Sequence, residues 1–207
     1  MKRAYLICAV AASALTLAAC NRQDAAESEV NPGQAEPVNA AQDAVGAAVG
    51  QVSASTMGQM STEAFVSNAA ESNMYEIQAG EMAQQKGQSA DVKAFGKMMV
   101  ADHTAMMNEM KPVIQSAGQT APSKLDERRQ GMLDNLKAAN GADFDRTYIA
   151  QQEAAHQEAL TLMRGYADNG DNAELKALAQ KAAPKIQAHL DRVRQIQQGM
   201  QSAPANK

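Results

Sequence analysis

Four long segments of this sequence carry apolar residues at the spacing of an α-helix, with short breaks between them. Apolar residues that recur every three or four positions place one face of each segment toward a core. We predict long helices over residues 62–86, 90–117, 142–168 and 173–200, and a shorter helix over residues 123–138. No segment has the alternating pattern of a strand. The fold prediction is an all-α antiparallel four-helix bundle, with the short helix in the connection between its second and third helices.

The first 20 residues have the pattern of a bacterial lipoprotein leader. Two basic residues precede an apolar run that is too short to span a membrane, which predicts that residues 1–19 are a signal peptide. Residues 17–20 (Leu-Ala-Ala-Cys) resemble a lipobox, so we expect Cys20 to carry the lipid. Asn21, rather than Asp, follows the cysteine, which in lipoproteins of this type implies the outer membrane, facing the periplasm. The alternative is an ordinary signal peptide with Cys20 incidental.

The rest of the chain divides by composition. Residues 20–60 comprise the lipidated cysteine and a linker rich in Ala, Gln, Glu, Ser, Gly and Pro, which we expect to be disordered. Residues 61–200 carry the bundle, and residues 201–207 are expected to be a disordered tail. Of the two cysteines, Cys8 leaves with the signal and Cys20 is acylated, so no disulfide is expected. The expected partner is the membrane, through the lipid on Cys20.

Charge and motifs narrow the class of function. The chain has 19 basic and 23 acidic residues, a net charge of −4, and no basic cluster, which argues against nucleic-acid binding. It contains no Ser-His-Asp set, no reactive cysteine and no glycine-rich phosphate loop. We therefore expect no catalytic residues and a protein that is not an enzyme.

The three histidines of the chain lie near the middle of three different long helices. His103, His156 and His189 lie on or beside the apolar faces, and Glu76 faces inward from the first helix. With a rise of about 1.5 Å per residue, all four fall at nearly the same height in an antiparallel bundle. Three imidazoles and a carboxylate are reasonable ligands for zinc, copper or iron. These residues are therefore candidate ligands of one metal ion.

Glu153 extends this candidate set, because it forms a Glu-x-x-His pair with His156. Two such pairs and two further glutamates hold the paired metal ions of ferritin-like carboxylate bundles. The positions three residues before the other histidines are Val100 and Ile186, so the pattern is incomplete and favours a single ion. Asp102 and Asn73 are candidate outer partners of the ligands.

Two alternatives remain open for these polar residues and the methionines near them. The buried histidines and Glu76 could form a hydrogen-bonded network that fixes the register of the helices and binds nothing. Thioethers combined with imidazole suit Cu(I), whereas methionine also simply fills gaps in a core with few aromatic residues. Five methionines bracket His103: Met98, Met99, Met106, Met107 and Met110.

A resemblance to a known family covers about residues 63–194. The residues that carry it are Phe65-Val66 with Ala69-Ala70 and Glu76, Phe95 through Met99 with Ala101-Asp102-His103, Gly141 through Tyr148, Ala155-His156-Gln157-Glu158, and Pro184 through His189. The sequence resembles the bacterial envelope family called domain of unknown function 4142, of the ferritin-like superfamily. The resemblance implies an extracytoplasmic, ferritin-like bundle and no established activity. The incomplete ligand set argues against oxidase or iron-storage activity.

The sequence thus supports three interpretations of function. The first is a lipid-anchored periplasmic binding or envelope-stress module that holds one metal ion at the middle of the bundle. The second is a structural or interaction protein whose buried His/Glu cluster binds no ligand. The third is a metal-dependent oxidoreductase.

Overall fold

Five α-helices, and no strand, make up residues 61–202, which are the residues described by the computed structural model. The helices are α1 Thr62–Lys86, α2 Ala90–Ser116, α3 Glu127–Ala138, α4 Gly141–Asn169 and α5 Ala173–Ser202. The all-helical prediction is confirmed. The predicted signal peptide, Cys20, the linker and residues 203–207 lie outside the described residues. Within residues 61–202, no helix combines the length and the apolar character that crossing a membrane requires.

Side-chain caps define where the first three helices begin. The hydroxyls of Ser61 and Ser89 accept hydrogen bonds from the first turns of α1 and α2. The Asp126 carboxylate accepts a hydrogen bond from the backbone N–H of Arg129 at 2.6 Å. An acidic cap of this kind fixes the first residue of a helix. The prediction that the short helix begins at residue 123 was therefore wrong, because the cap at Asp126 starts α3 at Glu127.

Contacts at the two ends of the bundle establish the direction of each helix. At one end, the Asp145 carboxylate of α4 accepts hydrogen bonds from the backbone N–H groups of Gln88 and Ser89, in the turn between α1 and α2, at 2.8 and 2.9 Å. At the other end, Thr62 Oγ1 lies 2.7 Å from the Tyr166 hydroxyl near the end of α4. Helix α4 therefore runs parallel to α2, and the connection that carries α3 returns along the length of the bundle.

Small residues allow α1 and α2 to approach closely. A Cβ atom on Gly80 would lie 2.8 Å from the backbone oxygen of Gly96. A Cβ atom on Gly96 would lie 2.7 Å from the backbone oxygen of Gly80. No side chain fits at either position without moving the helices apart. The close approach fixes the register of α1 against α2, and with it the relative heights of Glu76 and His103.

A buried ion-pair network, which the sequence patterns did not reveal, attaches α3 to the bundle. Arg129 is 4% exposed and contacts Glu71 of α1 at 3.1 Å and Glu158 of α4 at 3.0 Å. It also contacts Asp126 at the start of its own helix. One cation on α3 thus joins carboxylates from two long helices.

The core has an apolar cluster toward each end and a polar layer between them. Phe65 and Tyr166 stack in the first cluster, with ring centroids 3.9 Å apart. Phe95 and Tyr148 meet edge to face in the second cluster. The polar layer is formed by buried side chains of the four long helices: Asn73, Glu76, His103, Gln152, His156 and His189.

Candidate metal centre

The three histidines meet at the centre of the polar layer. His103 of α2, His156 of α4 and His189 of α5 are each at most 3% exposed, and their ring centroids are 5.4 to 5.7 Å apart. One ring nitrogen from each residue lies within 4.8 Å of those of the other two. The geometry therefore brings together all three histidines that the sequence placed at one height.

Two of the rings have a defined tautomer, because an oxygen atom accepts the proton on Nδ1. His103 Nδ1 donates to Asn73 Oδ1 at 2.9 Å, and the amide nitrogen of Asn73 donates to the Ala69 carbonyl, which fixes the orientation of the amide. His156 Nδ1 donates to the carbonyl of Gln152 at 2.8 Å. In a neutral imidazole the other nitrogen then carries a lone pair. For both residues this nitrogen is Nε2.

His189 is held in the opposite tautomer. Its Nε2 donates to Asp102 Oδ2 at 2.9 Å, and the same carboxylate accepts a hydrogen bond from Lys185 at 2.9 Å. The lone pair of His189 is therefore on Nδ1. In the described part of the chain, the remaining nitrogens of the three rings are buried and have no hydrogen-bond partner: His103 Nε2, His156 Nε2 and His189 Nδ1.

Burial keeps these imidazoles neutral. It lowers the pKa of His103 well below its ordinary value and that of His156 to about 3, because a charged ring would lose its hydration. Burial also lowers the pKa of His189, although the Asp102 carboxylate opposes the shift. At neutral pH the three unpartnered nitrogens are therefore lone-pair donors.

Glu76 lies beside the cluster in a protonated state. It is 2% exposed, and its Oε2 accepts a hydrogen bond from Gln152 Nε2 at 2.6 Å. Its Oε1 is 3.7 Å from His156 Nδ1, the nitrogen that already donates to the Gln152 carbonyl. Burial raises the pKa of Glu76 to about 8, so the carboxyl group is neutral at pH 7. Glu76 is thus a neighbour of the three histidines. Its oxygens do not belong to the group of candidate ligand atoms that lie within 4.8 Å of one another.

The structure separates Glu153 from the site. Its side chain is partly exposed and accepts a hydrogen bond from Arg194 at 3.2 Å. The candidate ligand set that includes Glu153 is corrected accordingly, because that side chain faces α5 at the surface. Asn73 and Asp102, expected as outer partners, each contact one histidine ring.

Two polar groups were missed by the sequence analysis: the side chain of Gln152 in the polar layer and the hydroxyl of Tyr148 in the second apolar cluster. The side-chain amide of Gln152 donates a hydrogen bond to Glu76, and its backbone carbonyl accepts one from His156 Nδ1. The hydroxyl of Tyr148 is buried with no hydrogen-bond partner among residues 61–202, and burial raises its pKa well above the ordinary value. The available signal was position: Tyr148 and Gln152 precede His156 by eight and four residues, on the same face of the helix.

The buried Glu76 carboxyl predicts how the stability of the metal-free protein depends on pH. Between its ordinary pKa of 4.5 and its folded pKa of about 8, the folded state holds a proton that the unfolded state has lost, so stability falls as pH rises. From pH 6.5 to 8 the loss of this proton should lower the free energy of unfolding by roughly 1–2 kcal/mol relative to Glu76→Gln. The histidines, whose ordinary pKa of 6.5 is lowered by burial, oppose this decline, but they do so equally in both proteins. Urea denaturation of both chelator-treated proteins at several pH values measures the difference between them, and a difference that does not change with pH would contradict the assignment.

Comparison with known protein families shows where the chain belongs. A family model described as a domain of unknown function (DUF4142) matches residues 47–196, which is more than half of the chain. No curated protein and no solved structure matches the chain. The description of the family names no activity, so the function has to be argued from the site.

Proposed function

The chain belongs to the DUF4142 family, and we propose that it binds one transition-metal ion between His103, His156 and His189. The observation that carries the proposal is that three buried, neutral histidines from three helices bring ring nitrogens within 4.8 Å of one another, and that each ring has one nitrogen without a hydrogen-bond partner. Imidazole suits zinc, copper, iron and nickel, and three histidines with an open fourth position are a known zinc ligand set. We take Zn²⁺ as the probe ion for this site.

The distances are compatible with coordination after a small adjustment. Nitrogen ligands about 2.0–2.1 Å from a tetrahedral ion lie roughly 3.3 Å from one another. The three nitrogens lie within 4.8 Å of one another, so each has to move inward by up to about 1 Å. We expect side-chain rotations to supply this movement.

The outer contacts of the rings match those of metal-binding histidines. Such histidines donate their other ring N–H to a carboxylate, a carbonyl or a water molecule, which orients the ring. Asp102 takes this role for His189, Asn73 for His103 and the Gln152 carbonyl for His156. Three separate acceptors thus leave the inner nitrogen of each ring free for a ligand.

The alternative, a purely structural network, fits these contacts less well. A network that only fixes helix register satisfies its buried polar groups, because an unpartnered buried acceptor costs about 1–3 kcal/mol. Here the other nitrogen of each ring already donates to Asn73, Asp102 or the Gln152 carbonyl, and three buried acceptor nitrogens have no partner among residues 61–202. A bound cation would satisfy all three at once.

We also propose a ferritin-like topology and a location in the cell envelope. The long return connection that carries α3, with α2 parallel to α4, supports a ferritin-like arrangement of the four long helices. The sequence of residues 17–20 supports a lipid anchor on Cys20, in the outer membrane and facing the periplasm. In this setting the protein acts as a metal-binding or envelope-stress module, and we propose no catalytic turnover.

The first test of this function is the effect of Asp102→Asn on zinc affinity. The change keeps the size of the side chain but removes the negative charge that orients His189. Loss of such an outer contact lowers metal affinity by about 10- to 100-fold, and we expect at least a tenfold loss here. Competition with a chromophoric zinc chelator measures the affinity, using full-length protein without a polyhistidine tag.

Asp91→Asn is the matched control. Asp91 also lies on α2 and pairs with Arg192 of α5 at 2.7 Å, so the two variants remove similar contacts between the same helices. We expect the zinc affinity of Asp91→Asn to equal that of the unmodified protein. Equal affinities for the two variants would contradict a role for Asp102 in orienting a metal ligand.

A further inference from the structure

A cavity of about 150 Å³ lies next to the histidine cluster and is lined by residues of α1, α2, α4 and α5. His103 and Asn73 form part of its wall, so one histidine belongs to both the cluster and the cavity. Most of the other lining residues are apolar. A cavity of this size and composition admits a small ligand without any change in the packing of the helices.

Three methionine side chains line this cavity. Met110 and Met163 are buried, and Met106 is partly buried. The sulfur of Met110 lies 4.0 Å from the amide nitrogen of Asn73, whose oxygen accepts the hydrogen bond from His103. A thioether is therefore adjacent to the pair of side chains that forms the polar wall of the cavity.

The other methionines near His103 in sequence have a different environment. Met99 is buried in the second apolar cluster, and Met98 packs against that cluster. Met107 packs against the first cluster and does not line the cavity. Of the five methionines around His103, Met106 and Met110 line the cavity, as does Met163 of α4, and the other three do not. Met110 and Met163 also belong to the first apolar cluster, so lining the cavity is what distinguishes them from Met107.

The charges around the cavity balance one another. Lys181 contacts Glu109 at 2.7 Å and Lys185 contacts Asp102 at 2.9 Å, and both ion pairs cross from α5 to α2. These two ion pairs leave no excess of negative charge, so these residues do not attract a hydrated divalent cation. The apolar wall would also remove its hydration, at a free-energy cost that rises with the square of the ionic charge.

We propose that this cavity binds Cu(I) through the thioethers of Met106, Met110 and Met163, as a site that adjoins the histidine cluster. Thioethers are soft ligands that select Cu(I), and a monovalent ion loses less hydration energy than a divalent one. The inference rests on the proposed function, since His103 belongs to both sites and would pass the ion between them. It adds to the histidine site a neighbouring site that selects Cu(I).

X-ray absorption at the copper K edge tests this site directly. The sample is full-length, tag-free protein with Cys8→Ser and Cys20→Ser, so that no thiol competes, loaded anaerobically with two equivalents of Cu(I). We expect sulfur as well as nitrogen ligands in the copper spectrum. The combined change Met106→Leu, Met110→Leu and Met163→Leu should remove the sulfur contribution and lower the affinity for Cu(I) at least tenfold. Zinc affinity should change less than twofold, since the histidines remain.

The matched control is the combined change Met98→Leu, Met99→Leu and Met107→Leu, which removes three thioethers outside the cavity. Methionine and leucine have similar volumes, so both triple variants should fold. The control should retain the sulfur ligands. Two results would overturn the thioether site while leaving the histidine site intact. One is copper in the unmodified sample with nitrogen ligands alone, and the other is sulfur ligands that persist after Met106→Leu, Met110→Leu and Met163→Leu. Protein that binds neither copper nor zinc would overturn the histidine site as well.

Discussion

Arg129→Met is expected to lower the free energy of unfolding by about 3 kcal/mol, because Glu71 and Asp126 lose their cation and the buried Glu158 keeps only the more exposed Arg128. Arg129 is the cation shared by Glu71 of α1, Glu158 of α4 and Asp126 at the start of α3. Removing one partner of a buried pair costs about 3–5 kcal/mol, and the partial exposure of Asp126 favours the lower end of that range. Equilibrium urea denaturation of the full-length protein measures the change.

Arg128→Met provides the control for this prediction. Arg128 contacts the same oxygen of Glu158 at 2.7 Å, but its side chain is 24% exposed, whereas that of Arg129 is 5% exposed. Water screens the more exposed pair, so its loss should cost about 1 kcal/mol or less. Equal losses in the two variants would show that burial of Arg129 contributes nothing, and would contradict the account of how α3 is attached.

His156→Leu is expected to abolish zinc binding without weakening the metal-free fold. The substitution removes a buried nitrogen that has no partner, and the Gln152 carbonyl keeps its hydrogen bond within the helix. The metal-free protein should become more stable by about 1 kcal/mol, because an unsatisfied buried group is lost. Zinc at 100 times Kd should raise the free energy of unfolding of the unmodified protein by about 2.7 kcal/mol and leave that of His156→Leu unchanged. Urea denaturation with and without zinc measures both effects.

Tyr148→Phe is the matched control on the same helix. It also removes one buried polar atom that lacks a partner among the described residues, but the hydroxyl of Tyr148 is not one of the converging nitrogens. We expect it to retain the stabilisation by zinc. If His156→Leu instead destabilises the metal-free protein by 2 kcal/mol or more, the histidines support the fold, and the structural alternative is correct.

Helical periodicity predicted the helices well, because each long helix buries one continuous apolar face. The predicted bounds of α1 agree with the structure at both ends, since Ser61 caps its start and Gly87 follows Lys86 at its end. The start of α3 could not be placed from periodicity, since a single side chain, Asp126, determines it. Apolar patterns describe faces, whereas helix ends depend on individual hydrogen bonds.

The histidine cluster could be predicted because its residues lie at matching distances from two tight turns. Counting residues from those turns places His103, His156 and His189 at one height. Which atoms meet could not be predicted, because the choice of tautomer depends on contacts such as that between His189 and Asp102. The position of Glu153 depends on Arg194 of α5, a contact between residues 41 positions apart in the sequence.

The Arg129 network and the cavity were beyond the reach of sequence patterns for a related reason. A charged residue on a short, polar helix is normally taken for a surface residue, and α3 becomes buried only by packing against α1 and α4. The cavity is formed by side chains from four helices, including Met110 of α2 and Met163 of α4. Neither feature has a signal within a single segment.

Metal content, measured together with the melting temperature, tests the central claim most directly. Full-length, tag-free protein with Cys8→Ser and Cys20→Ser would be dialysed against zinc and then, in part, against a chelator, before elemental analysis. We predict one zinc ion per chain and a melting temperature higher by roughly 5–10 °C at about 100 times Kd, with both lost in the chelator and in His156→Leu. No bound metal and no thermal shift with zinc, copper or iron would contradict the proposal that the three histidines form a metal site.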